Sequence, residues 1–284
     1  MRDLDETSIT EAVVSKVTQG GSDRAKQINE AVVRHLHDLC RELELTEEEW
    51  EYAIDFLTRT GHMCSDTRQE FILLSDSLGF SMLVDAVNNR RPTGATESTV
   101  LGPFHVDGAP IREPGATISL DGKGEGCLNE GRVVDLHGEP IEGAIVDVRS
   151  DNAEGFHDVQ QPGIQPQWNN RGRFVTGSDG RCSFVGFKPV SYPIPDDGPV
   201  GQMLGHLGRD PYRPAHMHYL VTAPGFQRIV IHTFVGDDPY LESDTVFGVK
   251  RTLVAPFEHI RGDTEWRSTF DFVVVPAREG DDAR

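Results

Sequence analysis

His216-Met217-His218 opens an apolar run, and in a β-strand residues i and i+2 project from one face, so both imidazoles can reach a single metal ion. Imidazole is the commonest metal ligand, yet two of 11 histidines fall close together easily, so the pair alone reads equally as two incidental loop-edge histidines. The residues ahead of the pair add oxygen chemistry. Tyr192 sits in Ser191-Tyr192-Pro193-Ile194-Pro195, where the prolines fix the backbone and with it the direction of the phenol. A phenolate is a hard anionic donor suited to trivalent iron, and iron in turn keeps the phenol ionised. A tyrosine corner of a β-sandwich explains the same residue without a metal.

Elements of two kinds must position these groups. From Ile9 to about Val87 the pattern is helical, with Ile28, Val32, Leu36 and Leu39 recurring on one face at spacings of three and four. Thr46 and Glu49 predict a capping box for a helix carrying Trp50, Ile54 and Leu57, and a further helix is expected from Thr67 to Val87. After Asn88-Asn89-Arg90-Arg91-Pro92-Thr93-Gly94 short β-branched runs separated by Gly, Pro, Asn and Asp take over. Strands are expected at 131–136, 144–149, 173–176, 182–187, 216–222, 228–234 and 269–275. The fold class is therefore mainly β with an α-helical N-terminal segment, residues 1–99, ahead of a β-sandwich domain, residues 100–284. Two loops, 151–170 and 190–214, exceed what a minimal sandwich needs, and long loops on a rigid scaffold are where sites tend to lie.

Composition narrows the chemistry. Lys+Arg 27 against Asp+Glu 46 gives a formal charge of -19, a field that repels phosphate backbones and anionic lipid, so no nucleic acid and no membrane partner is expected. Cys40, Cys64, Cys127 and Cys182 are far apart with no CxxC pair, which argues against a zinc ribbon or disulfide framework and fits reduced thiols in a cytoplasm. The acidic start Met1-Arg2-Asp3-Leu4-Asp5-Glu6 and the lack of a long uncharged apolar run predict neither a secretion signal nor a membrane span.

Taken together, the helical segment, Ala95-Thr96-Glu97-Ser98-Thr99-Val100-Leu101-Gly102-Pro103-Phe104, Tyr192-Pro193-Ile194-Pro195, Arg213-Pro214-Ala215-His216-Met217-His218 and Asp244-Thr245-Val246-Phe247-Gly248-Val249-Lys250 resemble, in order and over nearly the whole chain, the intradiol ring-cleaving catechol dioxygenases, closest to their hydroxyquinol 1,2-dioxygenase branch. The resemblance implies one non-haem Fe(III) per subunit held by two tyrosines and two histidines, and carries three of those roles to Tyr192, His216 and His218. It implies an ortho-dihydroxylated ring as substrate, foremost hydroxyquinol (1,2,4-trihydroxybenzene), chelated by iron and cleaved by O2 between its hydroxylated carbons to maleylacetate. Tyr192 then leaves the metal as a base when substrate binds, and Arg213 stabilises charge building on the ring, although pairing of Arg213 with a loop carboxylate is an equal reading. The substrate pocket carries over to Leu73, Asp76, Val100, Leu101, Gly102, Pro103, Phe104, Ile194, Pro195, Arg213 and Val246. Asp76 is its informative member, because a carboxylate among apolar groups wants a donor and the third hydroxyl of hydroxyquinol supplies one. His232 lines the oxygen side of the site or is a core histidine. Family members are commonly homodimers joined through their helical segments around a lipid, so the same is expected here.

The fourth ligand departs from the pattern. Where the resemblance calls for tyrosine in a Gly-x-Tyr step, this chain reads Gly155-Phe156-His157, and Tyr52, Tyr192, Tyr212, Tyr219 and Tyr240 are its only tyrosines. Tyr212 is a conceivable stand-in, while Tyr219 should face away from His218. Arg149 stands in place of a tryptophan and Cys182 in place of a tyrosine common to the family. Trivalent iron with two phenolates and a hydroxide is neutral, whereas one phenolate, a hydroxide and three imidazoles leave a net positive charge, which favours Fe(II). The expectation is a retained iron site with His157 as ligand and an altered potential. Two rivals stand beside it: a descendant that only binds aromatic ligands or a partner protein, and Fe(II) extradiol chemistry on the same ring.

Overall fold

The computed structural model describes residues 3–66, 68–260 and 265–277. The chain forms two compact units that divide between Arg59 and Thr60. In the first, α1 (Ile9–Val17) packs on α2 (Asp23–Leu43), and α3 (Glu47–His62) follows. The Ser22 side chain accepts from the Ala25 N–H at 3.2 Å and caps α2. The expected capping box is formed: Thr46 Oγ1 accepts from the Glu49 N–H at 3.3 Å, and Glu49 Oε2 accepts from the Thr46 N–H at 2.9 Å. Ile28, Val32, Leu36, Leu39 and Leu43 lie exposed along α2.

The second unit begins with α4 (Glu70–Ser77) and α5 (Phe80–Asn88). The single helix expected over 67–87 is thus two helices, and Thr67 lies outside the described residues. Gly79, at φ 71°, donates its N–H to Asp76 O at 2.9 Å, a left-handed C-terminal turn that interrupts the helical hydrogen-bond ladder. There follow β1 (Gly126–Val134), β2 (Ile145–Arg149), β3 (Arg171–Val175), β4 (Arg181–Phe187), β5 (Tyr192–Pro193), α6 (Pro199–His206), β6 (Tyr212–Arg213), β7 (His216–Thr222), β8 (Ile229–Val235), β9 (Val254–Ala255), β10 (Phe257–His259), β11 (Trp266–Thr269) and β12 (Phe272–Val273).

One five-stranded sheet runs β10-β11-β1-β12 with β4 on the other edge of β1, and a second runs β3-β2-β7-β8-β9. Their inner faces share a core to which Val133, Cys182, Phe184 and Phe272 come from the first sheet and Val146, Val148, Phe174, Met217, Tyr219 and Ile231 from the second. Phe184 stacks on Phe174 with ring centroids 5.2 Å apart, the contact expected of a sandwich. The expected strand over 269–275 is broken: β11 ends at Thr269, and β12 pairs with β1 on its own at Val133↔Phe272. The alternation Met217/Tyr219 in, His216/His218 out, places the two histidines on the outer face of the second sheet. The loops of the sandwich fold over that face. A small cluster of Leu73, Ile194, Val200, Leu204 and Val246 docks them there. Glu70, fully buried, accepts from the Val200 N–H at 3.3 Å and pairs with Arg68 at 2.9 Å, so its carboxylate meets the positive end of α6.

Candidate metal centre

Register places three side chains in one row across the outer face of the second sheet. Arg149 of β2 lies opposite His218 of β7, and His218 lies opposite His232 of β8, so all three project together. His216, two residues before His218, joins them. The ligand-capable nitrogens of His216, His218 and His232 fall within 4.8 Å of one another, and all three rings are buried.

Tyr192 approaches from the two-stranded β5-β6 ribbon, in which it pairs with Arg213. Its Oη lies 3.2 Å from His216 Nε2, and His216 Nε2 lies 3.1 Å from His218 Nε2. The Nδ1 of His216 donates to the Pro214 carbonyl at 2.7 Å, which leaves the Nε2 lone pair free to face the cluster. His157 closes the group from the 151–170 loop: its ring centroid is 5.6 Å from that of His218, 6.1 Å from Tyr192 and 4.9 Å from Phe104. A tight turn holds it, the His157 N–H donating to Gln160 Oε1 at 2.8 Å and the Gln160 N–H to the His157 carbonyl at 3.0 Å. Gly155 makes this possible. It sits at φ 83°, and a Cβ there would come within 2.7 Å of the Tyr192 Cβ, so backbone and tyrosine meet only because no side chain intervenes.

His157 is fully buried, and neither ring nitrogen has a hydrogen-bond partner. The Ser150 backbone, the weakest of the influences on the ring, favours its protonated form. An unsatisfied buried imidazole is costly in an apolar setting and suited to a metal ligand. Burial holds the pKa values of His157, His216, His218 and His232 well below the ordinary histidine value; Arg171 adds to this for His157, Arg213 for His216 and His232, and neighbouring His232 for His218. All four rings are therefore neutral, with lone pairs to offer. Burial pushes the Tyr192 phenol up to about 12, against the pull of Arg213. Neutral imidazoles and one ionisable phenol, buried and facing one another, are a donor set that fits iron.

Arg213 is buried and pairs with Asp244 at 3.1 Å, while its Nη1 lies 3.0 Å from His216 Nε2 and its Nη2 lies 3.3 Å from His232 Nδ1. The loop-carboxylate pairing foreseen for Arg213 is thus present, and it leaves the guanidinium facing the cluster. Beside it opens a narrow cleft lined by Leu73, Asp76, Val100, Gly102, Pro103, Phe104, Ile194, Pro195, Arg213 and Val246, ten of the expected pocket residues, together with Arg149, Tyr192 and His218. Leu101 faces a neighbouring cavity, but its carbonyl accepts from Arg149 Nη2. His232 lies beneath His218 with ring centroids 4.2 Å apart, off the cleft wall. Asp76 is buried, and burial raises its pKa against the opposing Ser81 hydrogen bond. It is no solvated helix residue. Tyr212 stacks on Tyr240 at 4.8 Å and Tyr219 lies in the core, so neither stands in for residue 157.

The sequence reading assigned no role to Asp244, the partner of Arg213, and read Arg149 only as a departure. Counting alternate residues along β2 would have put Arg149 on the histidine face; what was lacking was the β2-β7 register. Asp151 was also passed over. It is fully buried beside this loop, accepts from Ser150 Oγ at 2.9 Å, and burial pushes its pKa up to about 8 from an ordinary 3.8. The folded chain then keeps a proton that the unfolded chain loses above pH 4, so this group costs stability progressively as pH rises from about 4 to about 8. Asp151→Asn should flatten that slope and stabilise the protein by roughly 5 kcal/mol at pH 8 relative to pH 4. Thermal unfolding of both proteins across that range checks it, and parallel curves would show that Asp151 is not held protonated.

The family profile described as "Dioxygenase" matches residues 100–276, and the one described as "Catechol dioxygenase N terminus" matches residues 22–96. The chain is 57% identical over 250 residues to a hydroxyquinol 1,2-dioxygenase of Rhizobium sp. (strain MTP-10005), covering 88% of this chain and 85% of that one. It is 47% identical over 276 residues to a 6-chlorohydroxyquinol 1,2-dioxygenase of Cupriavidus pinatubonensis, covering 97% and 99%. A solved structure of hydroxyquinol 1,2-dioxygenase from Pseudomonas putida DLL-E4 superposes with a TM-score of 0.90 at 44% identity, covering 96% of this chain and 99% of the other.

Proposed function

The chain belongs to the intradiol ring-cleaving dioxygenase family, and on that premise we propose that it is an iron-dependent dioxygenase that opens hydroxyquinol to maleylacetate. The observation that carries the reading is the narrow cleft in which Tyr192, His218 and Arg213 meet a mostly apolar wall holding one buried carboxylate, Asp76. We assign one non-haem Fe(III) per subunit to His157, Tyr192, His216 and His218, with His232 packed beneath. When bound, iron supplies chelation of the two ring hydroxyls and activation of the ring toward O2.

The chain's own residues do the rest. Val100, Pro103, Phe104, Ile194 and Val246 enclose the ring and exclude water. Asp76 accepts the third hydroxyl, which selects hydroxyquinol over catechol. Ionised by the metal it would ligate, Tyr192 would take a proton from a substrate hydroxyl, and the high pKa that burial gives the free phenol favours its keeping that proton. Arg213, held by Asp244, faces the negative charge that develops on the ring. We place the catalytic domain at residues 100–284 and the helical domain at 1–99. The exposed apolar stripe of α2 supports a homodimer joined through the helical domains, with lipid between them. Among the described residues no helix is long and apolar enough to cross a membrane, in keeping with a cytoplasmic enzyme.

Oxygen uptake by the iron-loaded protein with hydroxyquinol and, separately, catechol tests the reading. Stoichiometric uptake with hydroxyquinol, giving maleylacetate by mass and absorbance, is expected, with catechol at least tenfold slower. No uptake with either ring would leave only aromatic binding, and a yellow semialdehyde product would mean extradiol cleavage.

A further inference from the structure

Gly208, at φ 63°, ends α6 in a left-handed turn: its N–H donates to the Gly205 carbonyl at 3.1 Å, and the Arg209 N–H donates to the Leu204 carbonyl at 2.9 Å. That turn fixes the backbone from which the Arg209 side chain departs. Its Nη1 donates to the Ser77 carbonyl at 2.6 Å and its Nη2 to the Thr245 carbonyl at 2.9 Å. Ser77 is the last residue of α4 and follows Asp76, while Thr245 precedes Val246. Asp76 and Val246 both line the cleft and Arg209 does not, so one guanidinium ties two of its walls together from outside. The bond to Ser77 is favoured twice over, because the last carbonyls of a helix lack partners within it and carry its negative end. The Val246 wall needs holding. Phe247 sits at φ 58°, a left-handed backbone that a bulky residue adopts only under constraint, yet it is 54% exposed and takes little hold from the core. What meets its ring is Arg209, whose guanidinium carbon lies 4.9 Å from the centroid, and Gly79, where a Cβ would stand 3.3 Å from the ring. The same turn holds Asp244, which accepts from the Gly248 N–H at 2.8 Å, from the Val246 N–H at 3.3 Å and from Arg213 at 3.1 Å.

We propose that Arg209 is a positioning residue: it clasps the Asp76 wall to the Val246 wall and so sets the spacing at which Asp76 meets the third hydroxyl of the substrate. The proposal rests on the reading of the cleft as a hydroxyquinol site with Asp76 as the acceptor. The planar fork of a guanidinium suits the task, since its two outer nitrogens hold two carbonyls at a fixed separation, whereas a lysine offers one point charge on a flexible stem.

The test uses Arg209→Met, which keeps most of the stem over Phe247 and removes both donors. In steady-state kinetics of the iron-loaded protein, KM for hydroxyquinol should rise about tenfold, the worth of one well-placed hydrogen bond, with kcat within about threefold of the parent. Catechol has no third hydroxyl and serves as the internal control: both its constants should stay within about threefold. Arg209→Lys should give a smaller rise in KM for hydroxyquinol. Amide hydrogen exchange reads the clasp without turnover: the Phe247 N–H, which donates to the Asp244 carbonyl at 3.0 Å, should exchange faster in Arg209→Met, while the amides of β2 and β7 keep the parent's rates. An equal loss with both rings, an unchanged KM for hydroxyquinol, or unchanged exchange at Phe247 overturns the role of Arg209 and leaves the dioxygenase reading standing. A parent that turns over neither ring overturns the dioxygenase reading, and the exchange at Phe247 then decides the clasp by itself.

Discussion

Replacing Tyr192 by phenylalanine should lower kcat for hydroxyquinol by about 10³-fold while leaving the fold intact. The phenol oxygen lies 3.2 Å from His216 Nε2, and among the described residues no other tyrosine reaches the cluster. Burial keeps it protonated until a cation ionises it, and once ionised it is strongly basic, which suits it to accept the proton of a substrate hydroxyl. On the proposed reading, its removal would take away the base and an anionic ligand at one stroke. Stability should change by only about 1 kcal/mol, since the hydroxyl's partners, His216 and more weakly Arg213, each keep other contacts. Steady-state kinetics, iron content and thermal unfolding of the same preparation separate these effects. A variant within tenfold of the parent would take Tyr192 out of the chemistry.

The second large effect is a gain. His157→Tyr should bring a strong visible phenolate-to-iron absorption beyond that of the parent and raise kcat with hydroxyquinol by about tenfold. The room exists: His157 is fully buried, edges Tyr192 and His218, and makes no side-chain hydrogen bond that a phenol would break. The substitution converts a neutral donor into an anionic one and so supports the trivalent ion that the remaining imidazoles hold less well. The spectrum is the decisive readout, because it reports ligation whatever the rate does. An unchanged spectrum would show that residue 157 does not ligate.

Much of this site can be read from the sequence, for physical reasons. HxH in a strand has a period that fixes both rings on one face, and the structure has that face turned away from the core, because Met217 and Tyr219 take the other. The helical N-terminal segment and the capping box followed from spacing and side-chain chemistry alone. Boundaries were less accessible. The break between α4 and α5 depends on Gly79 adopting a left-handed turn, which the apolar period around it masks. β10 and β11 are short and carry charge, so alternation gave no signal, and both are formed by pairing with distant strands. The row Arg149, His218, His232 is a product of register between segments remote in sequence, and no local pattern encodes it. Asp244 and Asp151 acquire their importance from burial, which a sequence does not display.

That row also says when in the life of a chain the site can exist. His157 and His218 stand 61 residues apart, and Arg149 reaches His218 across a separation of 69, brought together by the β2-β7 pairing. Closing so long a loop costs entropy that is recovered only after the pairing has formed, so contacts of this kind arise late in folding. A nascent chain therefore carries scattered histidines and no chelator for most of its folding time. Iron then meets a finished pocket, and loading becomes a separate event that supply and competing metals govern after synthesis.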